Sequence, residues 1–437
     1  MLPPMSAQGR VGPYRTRGPG LARVLGCFLA CGLLQAGTTA EDLNVNARYT
    51  VESVELNGDH PPAISATLHK ELMQMVGEKL NPAALDDLAT RIRHELHVRA
   101  VTHRLMRGQT PEHVRVVFDV LGQPAKFEAS IPRLVYLTNG SMTGMVQGTA
   151  TIGSQAFTAG VVSNGDDLAE RYTGLIASYQ DKRLGTDRIG FRLDFESYRD
   201  QWNTATTNAL QQPGNEADTS GLYGSRENIQ PLVTFQLLRG APGTVNLTVG
   251  ASFERIQMQF PAARTESANA MVTTLRYHRR VEGSGANQQE WDAGYSLRAA
   301  TNMLGSDFVY ARHQADAGYV YSWDHNQIVD EMTVGAIVGR APLYDRFMLG
   351  TSTLLPGWNR FDLDPLGGSR VVCNTLEYRY RWFDVFYDSG TIWDVGETAV
   401  WRHSLGVGIR QNGMYAALAF PIKEGHIEPV FMVGMNY

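Results

Sequence analysis

Ile189-Gly190-Phe191-Arg192-Leu193-Asp194-Phe195-Glu196 has apolar side chains at odd positions and polar side chains or glycine at even positions. A two-residue period is that of a β-strand whose two faces meet different surroundings. Leu405-Gly406-Val407-Gly408-Ile409-Arg410 separates its faces in the same way. Apolar residues facing lipid and polar residues facing a lumen explain this pattern, whereas a soluble sandwich would turn its apolar face inward. The alternation therefore predicts a membrane β-barrel.

The same period continues from Lys126 to the end of the chain and divides it into sixteen segments. Most have the roughly 9–11 residues that a tilted strand needs to cross a bilayer. The predicted strands are 126–137, 155–164, 170–180, 188–199, 228–239, 244–256, 268–280, 289–301, 307–322, 327–340, 343–350, 369–380, 382–393, 401–411, 414–421 and 428–437. Asn203 to Glu227 reads as an extracellular loop, and Asn139 to Gly153 as a loop or part of a long second strand. The predicted fold class is an all-β transmembrane barrel of about 16 antiparallel strands.

Composition agrees with an exported sheet protein. The chain has 437 residues, 43% of them hydrophobic, with 44 Gly, 18 Tyr and 7 Trp, and its mean hydropathy is −0.24. No apolar run of helical membrane length occurs after the first 40 residues. The net charge is −5, and removal of the four arginines in residues 1–40 would make it −9, which argues against a nucleic-acid partner.

Residues 1–40 are predicted to be a signal peptide. The arginines at 10, 15, 17 and 23 form a basic region, Val24 to Leu34 is apolar, and Thr38-Thr39-Ala40 offers a cleavage site. A membrane anchor is the alternative, but this apolar run is shorter than the roughly 17 residues that a spanning helix needs. Cleavage would leave Cys373 as the one cysteine, so we expect no internal disulfide.

Residues 48–120 have a different pattern. Tyr49 to Leu56 alternates like a strand and ends at Asn57-Gly58. Apolar residues then recur at helical spacing in two segments, and Asn81-Pro82 provides a cap and first turn for the second. Two more strands are predicted at 100–107 and 113–120. The order βααββ predicts a small α+β domain ahead of the barrel.

Several motifs lie toward the end of the chain: Phe347-Met348-Leu349-Gly350, Leu355-Pro356-Gly357-Trp358, Glu377-Tyr378-Arg379 and Phe386-Tyr387-Asp388-Ser389-Gly390. Together they resemble the C-terminal barrel half of the BamA/TamA superfamily of outer-membrane assembly and translocation proteins. The βααββ segment is similar to the periplasmic POTRA module of that superfamily. The resemblance implies a POTRA-like domain over 41–121 and an outer-membrane barrel over 122–437.

The last strand also carries a resemblance. Phe431, Val433, Met435 and the terminal Tyr437 share one predicted strand face. This pattern is similar to the sorting signal that the barrel-assembly machinery reads. It implies that the chain is a client of that machinery, whatever its own function is.

The resemblance also suggests how the lumen is closed. In the superfamily, a segment after the eleventh strand folds back into the barrel, and the Arg of its Val/Leu-Arg-Gly-Phe/Tyr motif meets the Asp of Phe-x-Asp-x-Gly. Leu355-Pro356-Gly357-Trp358 stands at the first motif, with Pro356 in place of the Arg, and Asp388 stands at the acid. A charge in the lumen must be paired or hydrated, so we predict that Arg360 or Arg379 pairs with Asp388. Alternation places three further ion-pair candidates on the lumen face, namely Glu377, Asp384 and Arg410.

The resemblance implies a barrel that inserts or assembles outer-membrane proteins, or that translocates a polypeptide. It would capture a client strand at the POTRA edge and at a seam between the first and last strands. Its partners would be outer-membrane lipid, an unfolded outer-membrane or secreted client, and the barrel-assembly machinery. The alternative is a passive porin-like channel, against which the POTRA-like segment and the inward-folding segment argue. No cofactor is implied, and the lumen charges would merely be hydrated if no pairing occurs.

A hydrolase is the third possibility. His278, His313 and His403 lie on predicted strands, where each reads as a girdle or lumen residue rather than a base. No Ser stands at a spacing that suggests a catalytic triad with them. HExxH is absent, and one cysteine would remain after cleavage, so the sequence predicts no metal site. We expect no enzymatic activity.

Overall fold

The structure, a computed structural model, describes residues 48–58, 64–96, 98–122, 125–137, 142–165, 170–212, 221–240, 243–283, 287–351, 353–411, 413–423 and 429–436. The predicted signal peptide and Tyr437 lie outside these residues. The described residues before Ala125 form one compact unit, and those from Ala125 onward form a second. No helix in the described ranges is long and apolar enough to cross a membrane.

The N-terminal unit has the predicted order of elements: β1 (Thr50–Asn57), α1 (Ala66–Gln74), α2 (Pro82–Leu96), β2 (Ala100–Arg107) and β3 (His113–Leu121). Its sheet order is β1-β3-β2, with β1 parallel and β2 antiparallel to β3. The Ser65 hydroxyl caps α1 by accepting from the Leu68 amide, and the Asn81 side chain caps α2.

One apolar core holds this unit together. The helices bury the residues that recur at helical spacing, and the sheet buries one face against them. The core includes Val51, Leu68, Leu72, Leu85, Leu88, Ile92, Val116 and Phe118. The outer edges of β1 and β2 have no strand partner among the described residues.

The second unit is a closed barrel. Its strands are β4 (Lys126–Leu137), β5 (Met142–Ile152), β6 (Gln155–Asn164), β7 (Arg171–Asp181), β8 (Ile189–Gln201), β9 (Leu222–Gly240), β10 (Gly243–Phe260), β11 (Arg264–Ser267), β12 (Ala270–Glu282), β13 (Gln288–Ala300), β14 (Tyr310–Trp323), β15 (Asn326–Gly339), β16 (Arg370–Tyr380), β17 (Phe383–Trp393), β18 (Arg402–Gln411), β19 (Met414–Ile422) and β20 (Val430–Asn436). Within the described ranges, two α-helices interrupt the series, α3 (Thr204–Leu210) and α4 (Arg360–Leu363).

The barrel has sixteen antiparallel strands. The short β11 and the longer β12 both pair with β10, so they are two pieces of one strand. The last strand, β20, pairs with the first, β4, and closes the cylinder. The predicted fold class is confirmed.

The count of strands was right, but one predicted strand was wrong, and neither alternative for 139–153 was the separate strand that is found there. Residues 343–350 are not a strand: Leu343–Asp345 is a 3-10 turn, and the whole run is buried inside the barrel. Its apolar character comes from full burial rather than from a lipid face. Residues 142–152 form the strand β5, in which Val146 and Ile152 point outward. Its glycines and threonines weaken the alternation of apolar and polar residues, so the sequence did not show it as a strand of its own.

The predicted loop between Asn203 and Glu227 was also too long. The Asn203 side chain caps α3 by accepting from the Ala205 amide, so a helix begins directly after β8. β9 then begins at Leu222, six residues before the predicted position 228. Its first residues, Leu222 and Tyr223, are buried in the barrel core rather than exposed. Because this end of β9 is buried inside the barrel, its sequence lacks the alternation of apolar and polar residues that a lipid-facing strand shows.

The two faces of the wall separate as predicted. Outward side chains are apolar and exposed, whereas their neighbours point inward. The exposed outward residues include Val161, Leu175, Leu193, Phe195, Leu376, Tyr378, Leu405 and Ile409. Close to the short turns, outward aromatic rings pack in pairs. The ring centroids of Trp291 and Tyr319 are 4.2 Å apart, and those of Tyr321 and Trp323 are 5.1 Å apart. Such rings form the girdle of a membrane barrel.

Candidate functional site

Residues 340–369, which connect β15 to β16, fold into the barrel and are called the plug. The Phe347 ring covers Gly335 of β15, and Leu349 lies against Gly390 of β17. Both apolar side chains are buried in a cluster with inward residues of the wall. A Cβ at position 335 would overlap the Phe347 ring, so the glycine permits this close approach. The plug therefore packs against the wall as a protein core does.

A buried ion-pair network holds the start of the plug. Arg298 of β13 lies 3.1 Å from the Asp345 carboxylate and 2.7 Å from that of Glu254 on β10. The Tyr310 hydroxyl donates to the same Asp345 carboxylate. Arg312 donates to the Asp345 carbonyl at 2.9 Å. Two neighbouring strands of the wall, β13 and β14, thus hold one residue of the plug, and Glu254 of β10 supports Arg298 from behind.

A second anchor joins both ends of the plug to the β17–β18 loop. The Arg346 guanidinium donates to the carbonyls of Leu366 and Gly367 at 2.9 and 2.5 Å. It also lies 2.5 Å from the Asp394 carboxylate. Asp394 in turn accepts from the Ser369 amide at 2.8 Å. One buried cation therefore closes the plug into a loop and fixes its base.

The plug and its anchor carry carboxylates with shifted pKa values. Burial raises the pKa of Asp345, but Arg298, Arg312 and the Tyr310 hydroxyl outweigh burial and hold it below its usual value. Burial likewise raises the pKa of Asp394, but Arg346 and Ser369 bring it below its usual value. At Asp364 burial prevails and raises the pKa to about 6. Because their pKa values are lowered, Asp345 and Asp394 stabilise the folded state at pH values above the pKa of a carboxyl group in the unfolded chain. This stabilisation is lost on strong acidification.

Arg360, a predicted partner of Asp388, forms an ion pair with Glu170 instead. Its guanidinium is 1% exposed and lies 3.5 Å from the Glu170 carboxylate. It also donates to the Pro365 carbonyl at 3.1 Å. Glu170 accepts from the Asn203 amide at 2.6 Å and from the Thr206 hydroxyl. The predicted pairing of Arg360 with Asp388 is wrong, because Arg360 joins the plug to α3 and the β6–β7 loop.

The motif Leu355-Pro356-Gly357-Trp358 lies against β18 and β19. Leu355 and Pro356 are buried, and Gly357 adopts a positive φ of 93° close to Pro421 and Ala419. The Trp358 indole donates to the His403 carbonyl at 2.8 Å, and Arg402 lies over its ring at 5.3 Å. An indole hydrogen bond and a cation–π contact thus hold residues 355–358, the tip of the plug, against the wall without an arginine at position 356.

Asp388 makes no ion pair with any described residue. It is 3% exposed, accepts from the Thr375 hydroxyl at 2.5 Å, and stands opposite Ser404 of β18. Arg379 cannot reach it, because Arg379 and Thr375 are four residues apart on β16, about 13 Å along a strand. The second predicted partner was therefore also wrong.

The other predicted lumen charges do meet. Arg379 lies 2.5 Å from Glu377, and Arg410 lies 3.6 Å from Glu377 and 3.8 Å from Asp384. All four side chains share one face, because β16, β17 and β18 pair in register. The group is a pairing network rather than four separately hydrated charges.

The seam between β4 and β20 is short. Arg133–Leu137 pairs with β20, whereas β5 pairs with β4 from Lys126 onward. Residues 126–132 therefore have no partner on the β20 side among the described residues. Behind the seam the lumen is apolar, in a buried cluster of Val135, Phe386, Ala417, Ala419 and Met432.

The family-model comparison matches residues 179–420 of this chain to the Omp85 superfamily domain. The chain belongs to the Omp85 superfamily. No curated protein matches it in sequence. The barrel fold of this superfamily implies an outer-membrane location.

Solved Omp85 structures share its fold. BamA from Haemophilus ducreyi lacking POTRA domains 1-3 aligns with a TM-score of 0.61 at 15% identity, over 89% of this chain and 84% of that one. CdiB from Acinetobacter baumannii aligns with a TM-score of 0.50 at 13% identity, over 90% of this chain and 74% of that one. At sequence identities of 15% and 13%, the similarity to these two structures is a similarity of fold.

In this Omp85 chain the C-terminal motifs have packing roles. The Phe386 ring covers Gly406 of β18, where a Cβ would overlap it, and Gly390 admits Leu349 of the plug. In β20, Met432 is buried inside, whereas Phe431 and Val433 on the other face are less buried. Met435 pairs with both Met414 and Leu134.

Sequence reasoning missed three anchors of the plug, namely Asp345, Arg298 and Glu170. A local signal existed for the first. Asp345-Arg346 is a pair of opposite charges in the middle of an apolar run, where a lipid-facing strand would carry none. Arg298 and Glu170 lack such a signal, because their partners are distant in sequence.

Proposed function

We propose that this protein inserts outer-membrane proteins into the bilayer by pairing an extended client segment with the free edge of β4. The observation that carries the proposal is the edge of residues 126–132, which has no partner on the β20 side within the part of the chain that the structure describes. Unpaired backbone amides and carbonyls are costly in lipid, so a client strand that supplied their partners would be bound by main-chain hydrogen bonds.

The seam is suited to opening. β20 has seven residues, and its described pairing with β4 covers Arg133–Leu137. Gly434 lies at the centre of this pairing, and glycine weakens a strand. Separating the two strands costs backbone pairing and apolar contacts, which an incoming strand would replace.

The plug favours insertion over passage through the lumen. A polypeptide or solute channel would require release of the Asp345 and Arg360 anchors, each of which is buried. Breaking a buried pair costs roughly 3–5 kcal/mol. An open porin-like pore is disfavoured for the same reason.

The N-terminal unit would act as a POTRA-like receptor in the periplasm. β2 (Ala100–Arg107) offers a strand edge with no described partner. Leu105 and Met106 on it are 45% and 38% exposed. An extended, partly apolar client could add to this edge by β-augmentation. Exposed apolar side chains beside a free edge support capture of unfolded rather than folded clients.

A reversible lock of the seam tests the proposal. Tyr136 and Val433 face each other across it, outward, so Tyr136→Cys with Val433→Cys in a Cys373→Ser background would join β4 to β20. We expect the cross-linked protein in liposomes to lose most of its catalysis of client insertion, measured by protease protection of an unfolded outer-membrane protein. Reduction should restore it.

The matched control joins β18 to β19 through Val407→Cys and Leu418→Cys, an outward pair in the continuous wall. This cross-link should leave insertion unchanged. Full activity of the seam-locked protein, with cross-linking verified by gel mobility, would contradict insertion at the seam. Loss of activity in both locked proteins would also contradict it, because rigidity of the wall in general would then be the cause.

A further inference from the structure

The hairpin of β12 and β13 brings together three metal-ligating side chains that no part of the plug uses. His278 of β12 stands directly opposite Asp292 of β13, and Glu290 follows two residues earlier on the same face. We propose that His278, Glu290 and Asp292 form a binding site for a divalent first-row transition-metal ion such as Zn²⁺. The site would lie on the lumen face of the barrel.

The orientation follows from the alternation of β13. Glu290, Asp292 and Arg298 are even-numbered, and Arg298 points inward to Asp345 of the plug. The odd-numbered Trp291 and Tyr295 are exposed on the outer face. The three ligands therefore face the lumen, and their side chains are 33–57% exposed, so an ion can reach them from solvent.

The distances fit coordination with small adjustments. The His278 Nδ1 atom lies 3.0 Å from an Asp292 carboxylate oxygen and 3.8 Å from a Glu290 carboxylate oxygen. All three ligand atoms lie within 4.8 Å of one another. Ligands at the Zn–N and Zn–O bond lengths and a tetrahedral angle would be about 3.4 Å apart. Rotation of the two carboxylates would suffice to place three ligands around one ion.

The donor set selects the class of ion. One imidazole with two carboxylates suits Zn²⁺, Mn²⁺, Fe²⁺ or Co²⁺, whereas Mg²⁺ and Ca²⁺ take oxygen ligands alone. The two carboxylates would balance the charge of a divalent ion. Gly318 of β14 pairs with Asp292 and adds no side chain there, which leaves room for water as the remaining ligand.

Neighbouring arginines do not occupy the site. Arg280, opposite Glu290, donates to Gln288 at 2.8 Å and lies 3.7 Å from Glu282. Arg276 lies beside Gly294, further from the turn. The simpler alternative is a hydrogen bond between His278 and Asp292 with no ion, and the experiment separates the two.

The test is Co²⁺ titration of the full chain in detergent, purified through a tag without histidine and followed by visible absorption. We expect one Co²⁺ per chain with a ligand-field band, displaced by Zn²⁺. His278→Ala should weaken binding at least about tenfold. Asp292→Asn should do the same, because an amide can still hydrogen-bond to the imidazole but is a poor ligand.

His313→Ala is the matched control, since His313 lies on the neighbouring strand β14 and bonds outward to the Tyr295 hydroxyl. Its Co²⁺ affinity should equal that of the parent protein. Retention of the barrel by each variant is checked by its heat-dependent gel mobility. Absence of stoichiometric binding, or equal binding by the His278→Ala and His313→Ala proteins, would overturn the proposal.

Discussion

At the scale of single residues, the plug depends on charges paired across long sequence distances. Arg360 and Glu170 are 190 positions apart and both nearly inaccessible. Removal of one partner leaves the other charge buried without compensation, which is the costly case for an ion pair. Asp388, in contrast, accepts from the Thr375 hydroxyl and pairs with no cation among the described residues. The acid that the family pattern makes prominent is therefore not the acid that holds this plug.

A double-mutant cycle measures this difference. Arg360→Ala and Glu170→Gln should each destabilise the barrel by roughly 3–5 kcal/mol, and the two changes should couple by about 1–3 kcal/mol. Arg360→Ala with Asp388→Asn should be additive. Stability is read from urea unfolding in lipid vesicles by tryptophan fluorescence. Coupling to Asp388 and none to Glu170 would restore the rejected pairing.

At the scale of elements, the plug is one segment anchored at its start, its base and its tip. Asp345 contacts β13 and β14, Arg346 contacts the β17–β18 loop, and Trp358 contacts β18, so no single loss of contact frees the whole segment. Residues 343–350 resemble a strand in composition, yet their backbone pairs with the plug itself through Phe347 and Gly368. The choice between strand and plug depends on which surface buries the apolar side chains, and that is a tertiary property.

Removal of the middle of the plug should open the lumen. Deletion of residues 351–366 removes Arg360 and the Trp358 tip while the β15 and β16 strands remain intact. We expect large conductance steps in planar bilayers from the deletion protein and little conductance from the parent. Asp362→Asn, an exposed change on the plug, is the control and should behave as the parent does. Equal conductance of parent and deletion would favour the porin-like alternative.

At the scale of the whole molecule, the chain consists of two units with separate cores. The barrel is closed by its own strands, and the N-terminal unit by its own helices and sheet. Separate cores allow separate folding. The proposed function divides accordingly, with capture in the N-terminal unit and insertion at the seam.

Deletion of residues 48–122 separates these roles. The remaining barrel should fold, because its strands are all retained, and should show the heat-dependent gel mobility of the parent. Client insertion into liposomes should slow severalfold, because the β2 edge is lost. An unchanged insertion rate would remove the N-terminal unit from the mechanism, and failure of the barrel to fold would show that the units depend on each other. The full-length chain in the same liposomes is the control.

The sequence by itself determined most of the strands, their faces and the order of the N-terminal elements, because a two-residue or helical period is a local property of the chain. It placed Asp384 and Glu377 in the lumen for that reason. Only the tertiary structure decided which lumen charges pair, that Arg360 belongs to Glu170, and that His278, Glu290 and Asp292 converge. Those contacts depend on the register in which sixteen strands close and on how the plug folds within them, and a local period carries no information about either.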